Sequence, residues 1–154
     1  MKNLSVPILY GIYVAIGLIG YFLLISIFGA HTNPVFSLFN GVIVGAGIYL
    51  SIKRESKDEG DKFKYENGFT TGLTTGFLAT AIFTAFFAIY ASHLDEDFLE
   101  ELITMWLVEY GANLGMVLFT VALMGFATTV VLTLTFMQIF KKTANTEEGR
   151  KHTY

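Results

Sequence analysis

The residues best suited to chemistry in this sequence form one acidic cluster. His93, Asp95, Glu96 and Asp97 carry the nitrogen and oxygen atoms that could bind a divalent cation. The sequence has no loop with a glycine at a sharp turn beside them, and without such a turn the carboxylates do not converge on a single ion. We therefore interpret the cluster as a solvated acidic cap, and we predict no metal site.

Motifs for a cofactor or a catalytic group are incomplete. Gly45-Ala46-Gly47 starts like a glycine-rich phosphate loop, but Leu50 stands where the pattern needs another glycine. The sequence contains no cysteine, no paired-histidine zinc motif and no serine elbow. We predict a protein without catalytic residues or a cofactor, which is not an enzyme.

Uncharged polar side chains are scattered through long apolar stretches of the chain. Threonine hydroxyls inside helices can bond to a carbonyl of their own helix, so most of them need no other partner. We expect the amides of Asn40 and Gln138 to bond across helices instead. Together with two threonines of the third stretch they are the candidate polar groups inside the membrane: Asn40, Thr74, Thr75 and Gln138.

The elements that carry these groups follow from the distribution of charge. Three stretches, 3–52, 67–94 and 110–140, contain no Asp, Glu, Lys or Arg. A soluble domain has about a quarter of its residues charged, whereas uncharged apolar runs of about 18 residues or more indicate membrane spans. Asn33-Pro34 marks a turn that divides the first stretch. We predict four spans, at 6–28, 35–52, 69–91 and 114–140, and the first is too long for a cleaved signal peptide.

The segment 92–113, between the third and fourth spans, combines acidic residues with an apolar helical face. Phe98, Leu102, Met105, Trp106 and Tyr110 are mostly three or four residues apart, which is typical of one side of a helix. Two interpretations stay open: an interfacial helix, or an N-terminal extension of the fourth helix. The predicted fold class is an all-α membrane protein with four transmembrane helices and this acidic amphipathic segment before the fourth. We expect the four helices to form a bundle.

Positive residues lie on one side of this four-span arrangement. All ten Lys and Arg fall in the N-terminal tail, in the loop 53–68 or in the tail 141–154, whereas 92–113 has acids and no base. Because positive residues in short loops stay in the cytoplasm, we predict that both termini and the loop 53–68 are cytoplasmic. The loop mixes five bases with five acids, so we predict a poor patch for anionic lipid and no binding of nucleic acid.

Glycines at four-residue spacing are the main signal for helix packing. Such spacing places small residues on one helix face, where two backbones can approach closely. The run that begins at Gly68 continues through Thr80 and Thr84, and it serves either packing within the chain or homo-oligomerisation. The candidate packing residues are Gly41, Gly45, Gly68, Gly72, Gly76, Gly111 and Gly115.

Aromatic and glycine-containing motifs flank the spans. Tyr10-Gly11 and Gly20-Tyr21 lie in the first span, and Gly47-Ile48-Tyr49-Leu50-Ser51-Ile52-Lys53-Arg54 ends the second. Lys62-Phe63-Lys64-Tyr65-Glu66-Asn67-Gly68-Phe69 leads into the third span, and an acidic exit follows it. In these motifs the chain resembles a bacterial family of small four-helix membrane proteins, a domain of unknown function. The resemblance implies a four-span protein of the bacterial inner membrane.

A second, partial resemblance concerns function. Gly68-Phe69-Thr70-Thr71-Gly72-Leu73-Thr74-Thr75 is similar to the third-helix motif of small four-helix fluoride channels, which work as dimers. Asn40 is placed like the second-helix asparagine of those channels. Gly76-Phe77 replaces their Phe-Ser, and the first span lacks their arginine. This resemblance implies a channel lined by threonines of the third span.

The predicted spans contain no Asp, Glu, Lys or Arg, which argues against proton-coupled transport, ion pumping and voltage sensing. We therefore expect a non-catalytic structural or accessory protein in a lipid bilayer, whose partner is a second copy or another membrane protein. The alternative is a small channel or permease lined by third-span threonines.

Overall fold

The computed structural model describes residues 5–29, 34–94, 103–104 and 113–140, and these residues are almost entirely helical. Four long helices follow one another: α1 (Val6–Ile27), α2 (Pro34–Glu59), α3 (Tyr65–Ile89) and α4 (Leu114–Phe140). A 3₁₀ turn (Gly60–Lys62) lies between α2 and α3, and a π-helical turn (Tyr90–Leu94) extends α3. All four helices are long and apolar enough to cross a membrane. The prediction of an all-α protein with four transmembrane helices is confirmed, and the chain is a multi-pass membrane protein.

Two helix boundaries extend past the predicted spans. α2 continues to Glu59, beyond the predicted end of the second span at Ile52, because most of the charged residues that follow are good helix formers. Gly60 then takes a positive φ of 56°, which glycine adopts without strain, and the helix ends there. α3 begins at Tyr65, four residues before the predicted start of the third span. The loop 53–68 is therefore two helix ends joined by a tight turn.

Little of the acidic segment 92–113 belongs to the described part of the chain. Ile103 is helical and packs against the hydrophobic core. All five residues of the predicted amphipathic face, together with Gly111, lie outside the described residues. Both interpretations of the segment stay open.

α3 is the central helix of the arrangement. It packs against α1, α2 and α4, and α2 also contacts both α1 and α4. Among the described residues α1 and α4 share no comparable interface, so they lie on opposite sides of the α2–α3 pair. The side chains that are fully buried between the helices include Ile48, Ile52, Thr75, Thr129 and Met137.

Hydrogen bonds between helices link α1, α2 and α3. The Tyr21 hydroxyl donates to the Phe36 carbonyl at 2.9 Å, and the hydroxyls of Ser26 and Tyr90 lie 2.6 Å apart. In α4, the described hydroxyl bonds stay within the helix, from Thr120, Thr129 and Thr135 to carbonyls four residues earlier. Van der Waals packing therefore dominates the contact of α4 with α2 and α3.

Candidate helix-packing site

The glycine run of α3 lies directly against α4. A Cβ on Gly72 would stand 2.6 Å from the methyl carbon of Thr133, and a Cβ on Gly76 would overlap Thr129. The absence of side chains at these positions therefore lets the two backbones come close, which is the role of small residues where lipid provides no hydrophobic drive. In order along α3, Gly68, Gly72 and Gly76 face Met137, Thr133 and Thr129 of α4.

The same contact continues one turn further along α3, but with the two side chains exchanged. Thr80 of α3 projects onto Gly125 of α4, and its methyl carbon lies 2.5 Å from the position of a Cβ on that glycine. Each pair lies four residues further along α3 and four residues back along α4, as in antiparallel helices. Thr84, the next residue of the run, is half-buried, and its hydroxyl oxygen is buried without a hydrogen-bond partner.

On another side, a polar contact joins α3 to α2 and α1. Thr75 is fully buried, and its hydroxyl lies 2.8 Å from that of Ser51. The Thr75 hydroxyl also donates to the Pro7 carbonyl, over a longer distance of 3.4 Å. Because a hydroxyl has one proton to give, Ser51 must donate to Thr75 when Thr75 donates to Pro7. These three groups form one chain of hydrogen bonds across three helices.

The two α4 threonines that face the glycines differ in their hydrogen bonding. The Thr129 hydroxyl donates to the Gly125 carbonyl of its own helix at 2.8 Å. Thr133 is equally buried, but its hydroxyl has no partner and lies close to Gly72. An unpaired buried hydroxyl destabilises the folded state by about 1–3 kcal/mol. The close approach of α3 and α4 at Gly72 therefore forms despite this unfavourable contribution.

The other predicted site residues are dispersed. Gly45 lies against Leu132 and Phe136 of α4, whereas a Cβ on Gly41 would meet nothing within 4 Å. Gly115 is exposed at the start of α4. Among the polar candidates, Thr74 is half-buried and Gln138 is exposed, while the Asn40 side-chain oxygen is buried without a hydrogen-bond partner.

Close approaches at Gly125, Gly47 and Gly11 escaped the reasoning from sequence. The α4 half of the main contact has a signal of its own, because Gly125, Thr129, Thr133 and Met137 repeat every four residues. The other two involve α1: a Cβ on Gly47 would overlap Val14 of α1, and a Cβ on Gly11 would lie 2.9 Å from the Leu78 side chain of α3. Gly47 belongs to no four-residue glycine pair, so spacing alone does not identify it.

Charged residues gather at the end of α2, beyond its apolar part. Arg54 donates to Asp58 at 2.9 Å, and the Asn67 amide donates to Glu59 at 2.6 Å. Burial raises the pKa of Glu55 above its usual value, and the nearby carboxylates of Glu59 and Asp58 raise it further. This end of the molecule is therefore polar, and some of its charged side chains bond to neighbouring polar side chains.

Comparison with known protein families assigns the chain to one of them. DUF4199, a protein family of unknown function, matches residues 9–110. The chain belongs to the DUF4199 family. The match covers most of α1 and all of α2 and α3, and it stops before α4, so only the α3 side of the glycine contact lies within it. It confirms the resemblance to a membrane family of unknown function. No curated protein and no solved structure matches this DUF4199 chain.

Proposed function

We propose that this DUF4199 protein is a non-catalytic structural or accessory component of the bacterial inner membrane, with both termini in the cytoplasm. The observation that carries the proposal is the use of the α3 threonines. Thr71, Thr75 and Thr80 are all buried at 4% exposure or less, and the last two fill contacts with neighbouring helices. Threonines that are buried in contacts between helices serve to pack those helices together.

A conducting pathway would make a different demand on the same residues. A pore lined by hydroxyls needs them to face a path that water or an ion can enter. Thr75 instead bonds to Ser51 and Pro7, and Thr80 occupies the space above Gly125. Of the two candidate polar threonines of this helix, Thr74 and Thr75, only Thr74 has a partly exposed side chain. These contacts favour the packing role over the channel or permease.

Valine substitutions distinguish the two roles because valine keeps the shape of threonine and removes its hydroxyl. Thr74→Val and Thr75→Val proteins would be reconstituted in liposomes beside wild type and the control Thr135→Val, whose hydroxyl faces outward and bonds within α4. Efflux of fluoride and of small uncharged solutes would be measured. We expect wild type and all variants to match empty liposomes. Wild-type efflux that Thr74→Val or Thr75→Val abolishes, and Thr135→Val does not, would establish the channel.

The orientation is tested separately with a reporter that is active only outside the cytoplasm. Fused after Gly60 it should be silent, and fused after Asp97 it should be active, because every Lys and Arg lies on the side of Gly60 in a four-span chain. Activity at Gly60 would overturn the orientation. Affinity purification in mild detergent then tests the accessory role, since that role requires a second copy or another membrane protein to co-purify reproducibly.

A further inference from the structure

We propose that Glu55 of α2 and Thr71 of α3 form a pH-dependent latch at the charged end of the α2–α3 contact. The protonated Glu55 carboxyl bonds to the Thr71 hydroxyl and closes the contact, whereas the ionised carboxylate stays in water and leaves it open. This inference goes beyond the structural role. It takes from the proposed orientation only that the latch responds to the pH of the cytoplasm.

Two hydrogen bonds fix how α2 and α3 face each other. The Ser51 and Thr75 hydroxyls lie 2.8 Å apart, and Glu59 accepts from the Asn67 amide at 2.6 Å. The second bond lies eight residues further along α2 and eight residues back along α3, as antiparallel helices require. Each helix therefore has a position midway between the two bonds, four residues from either of them, and the two midway positions face each other.

Glu55 and Thr71 occupy these midway positions. Thr71 is only 4% exposed, as expected of a side chain enclosed between two helices. Glu55 is half-buried, and among the described residues no hydrogen bond or ion pair reaches its carboxyl group. A carboxyl group without a partner therefore lies opposite a buried threonine, in a row whose two neighbouring positions are bonded.

The surroundings of Glu55 disfavour its ionised form. Burial raises the pKa of Glu55 above its usual value, and the carboxylates of Glu59 and Asp58 on the same helix raise it further. The α3 residues that face this part of α2, Asn67 and Thr71, are uncharged. The position therefore favours a neutral carboxyl group.

No counter-charge faces Glu55 from the rest of the described structure. α1 and α4 carry no acidic or basic side chain there, and the titratable groups of α1 are tyrosines, which stay neutral below about pH 10. The charged and titratable groups of the turn and of the start of α3 are all exposed: Asp61, Lys62, Lys64, Tyr65 and Glu66. On α2, Arg54 is paired with Asp58, while Lys53 and Lys57 are two residues from Glu55 and so on nearly the opposite side of the helix. Protonation is what neutralises Glu55 in these surroundings.

The two charge states of Glu55 differ in whether they can enter the contact. An ionised carboxylate must give up its water to move between the helices, which costs more than one hydrogen bond to a hydroxyl returns. A neutral carboxyl group loses much less on leaving water, and it can both donate and accept. Protonation therefore permits the third bond of the row, and α2 is then held to α3 at three successive positions.

A titration of the purified full-length protein in detergent tests the latch. The Glu55 carboxyl would be followed by NMR with carbon-labelled glutamate, and its signal assigned by its loss in Glu55→Gln. Thr71→Val keeps the shape and removes the hydroxyl, so the neutral form of Glu55 loses its partner and its pKa should fall toward the usual value. Burial alone predicts no change or a rise, because valine is more apolar than threonine. An unchanged or higher pKa of Glu55 in Thr71→Val would overturn the proposal.

Two further variants show whether the effect belongs to this hydroxyl. Thr71→Ser keeps a hydroxyl and should keep the wild-type pKa of Glu55. Thr70→Val, at the exposed neighbouring position, should also leave that pKa unchanged. A fall in Thr70→Val as large as that in Thr71→Val would show a general effect of losing a hydroxyl and would contradict the latch.

Thermal unfolding gives a second readout of the same bond. Acidification from about pH 7.5 to about pH 4 should raise the unfolding temperature of wild type more than that of Thr71→Val, because the variant gains no bond when Glu55 is protonated. Equal changes in the two proteins would contradict the latch. Both measurements use the purified protein whatever its topology, so the latch can fail while the structural role and the orientation stand.

Discussion

Thr80 of α3 packs onto Gly125 of α4, which reverses the neighbouring pair, where Thr129 of α4 packs onto Gly76 of α3. A shift of α4 by one turn would oppose Thr80 to Thr129 in one direction and to Val121 in the other. Either shift would bring together two side chains that both need space. The reversal therefore fixes one register of α3 and α4, which a uniform row of glycines facing threonines would leave open.

Exchanging the two side chains tests this register. Gly125→Thr alone would crowd Thr80 and should lower the free energy of unfolding by about 1–3 kcal/mol, the usual cost of overpacking. Adding Thr80→Gly moves the threonine from α3 to α4 and recreates a glycine opposite it, so the double variant should recover most of the loss. Thermal unfolding in detergent would measure both. A double variant no more stable than Gly125→Thr would contradict the paired arrangement.

Alanine in the glycine run should destabilise the α3–α4 contact. Gly72→Ala places a methyl group against Thr133 and Ile52, and we expect a loss of about 1–3 kcal/mol in the free energy of unfolding. Gly20→Ala is the matched control, because a Cβ there meets nothing within 4 Å. Since alanine is the better helix former, the control should be neutral or more stable. Equal effects of the two substitutions on thermal unfolding would show that close packing at Gly72 is unimportant.

Sequence reasoning identified the helices and one side of their main contact. Charge-free stretches predict membrane helices because a bilayer excludes charged side chains, and all four helices appear. The extension of α2 to Glu59 could not follow from that signal, because hydropathy reports where apolar residues end and not where helical hydrogen bonds end. The glycine run similarly indicates a face of α3 but not the helix that covers it.

The hydrogen-bond partner of a buried side chain depends on the depth and rotation of the neighbouring helices. The spacing of residues in a single sequence does not reveal either of these. The Thr75 hydroxyl reaches across to Ser51 and Pro7, although bonds across helices were predicted for the amides of Asn40 and Gln138. The side-chain oxygen of Asn40, expected to bond across helices, is buried without a partner. Both outcomes follow from what happens to lie opposite each side chain in the packed structure.

Removal of the Thr75 hydroxyl should destabilise the α2–α3 contact because it leaves the buried Ser51 hydroxyl without its partner. We expect Thr75→Val to cost about 1–2 kcal/mol in the free energy of unfolding. Ser51→Ala combined with Thr75→Val removes both polar groups and should be closer to wild type than Thr75→Val alone. Thr135→Val, on the exposed side of α4, should have little effect. A double variant less stable than both single variants in thermal unfolding would contradict the pairing.

The raised pKa of Glu55 predicts a dependence of stability on pH. Burial, with help from Glu59 and Asp58, disfavours the ionised carboxylate in the folded protein, so its pKa lies above the usual 4.5. Folding is therefore penalised while Glu55 is ionised in both states, and the penalty disappears as the pH falls through the folded pKa to below the unfolded one. Glu55→Gln should unfold at a higher temperature than wild type at about pH 7.5 and at the same temperature near pH 4. Asp61→Asn, at an exposed carboxylate of the turn, controls for lost negative charge and should show a smaller difference between the two pH values. An advantage of Glu55→Gln that stays constant across this range would assign it to helix propensity or packing instead of ionisation.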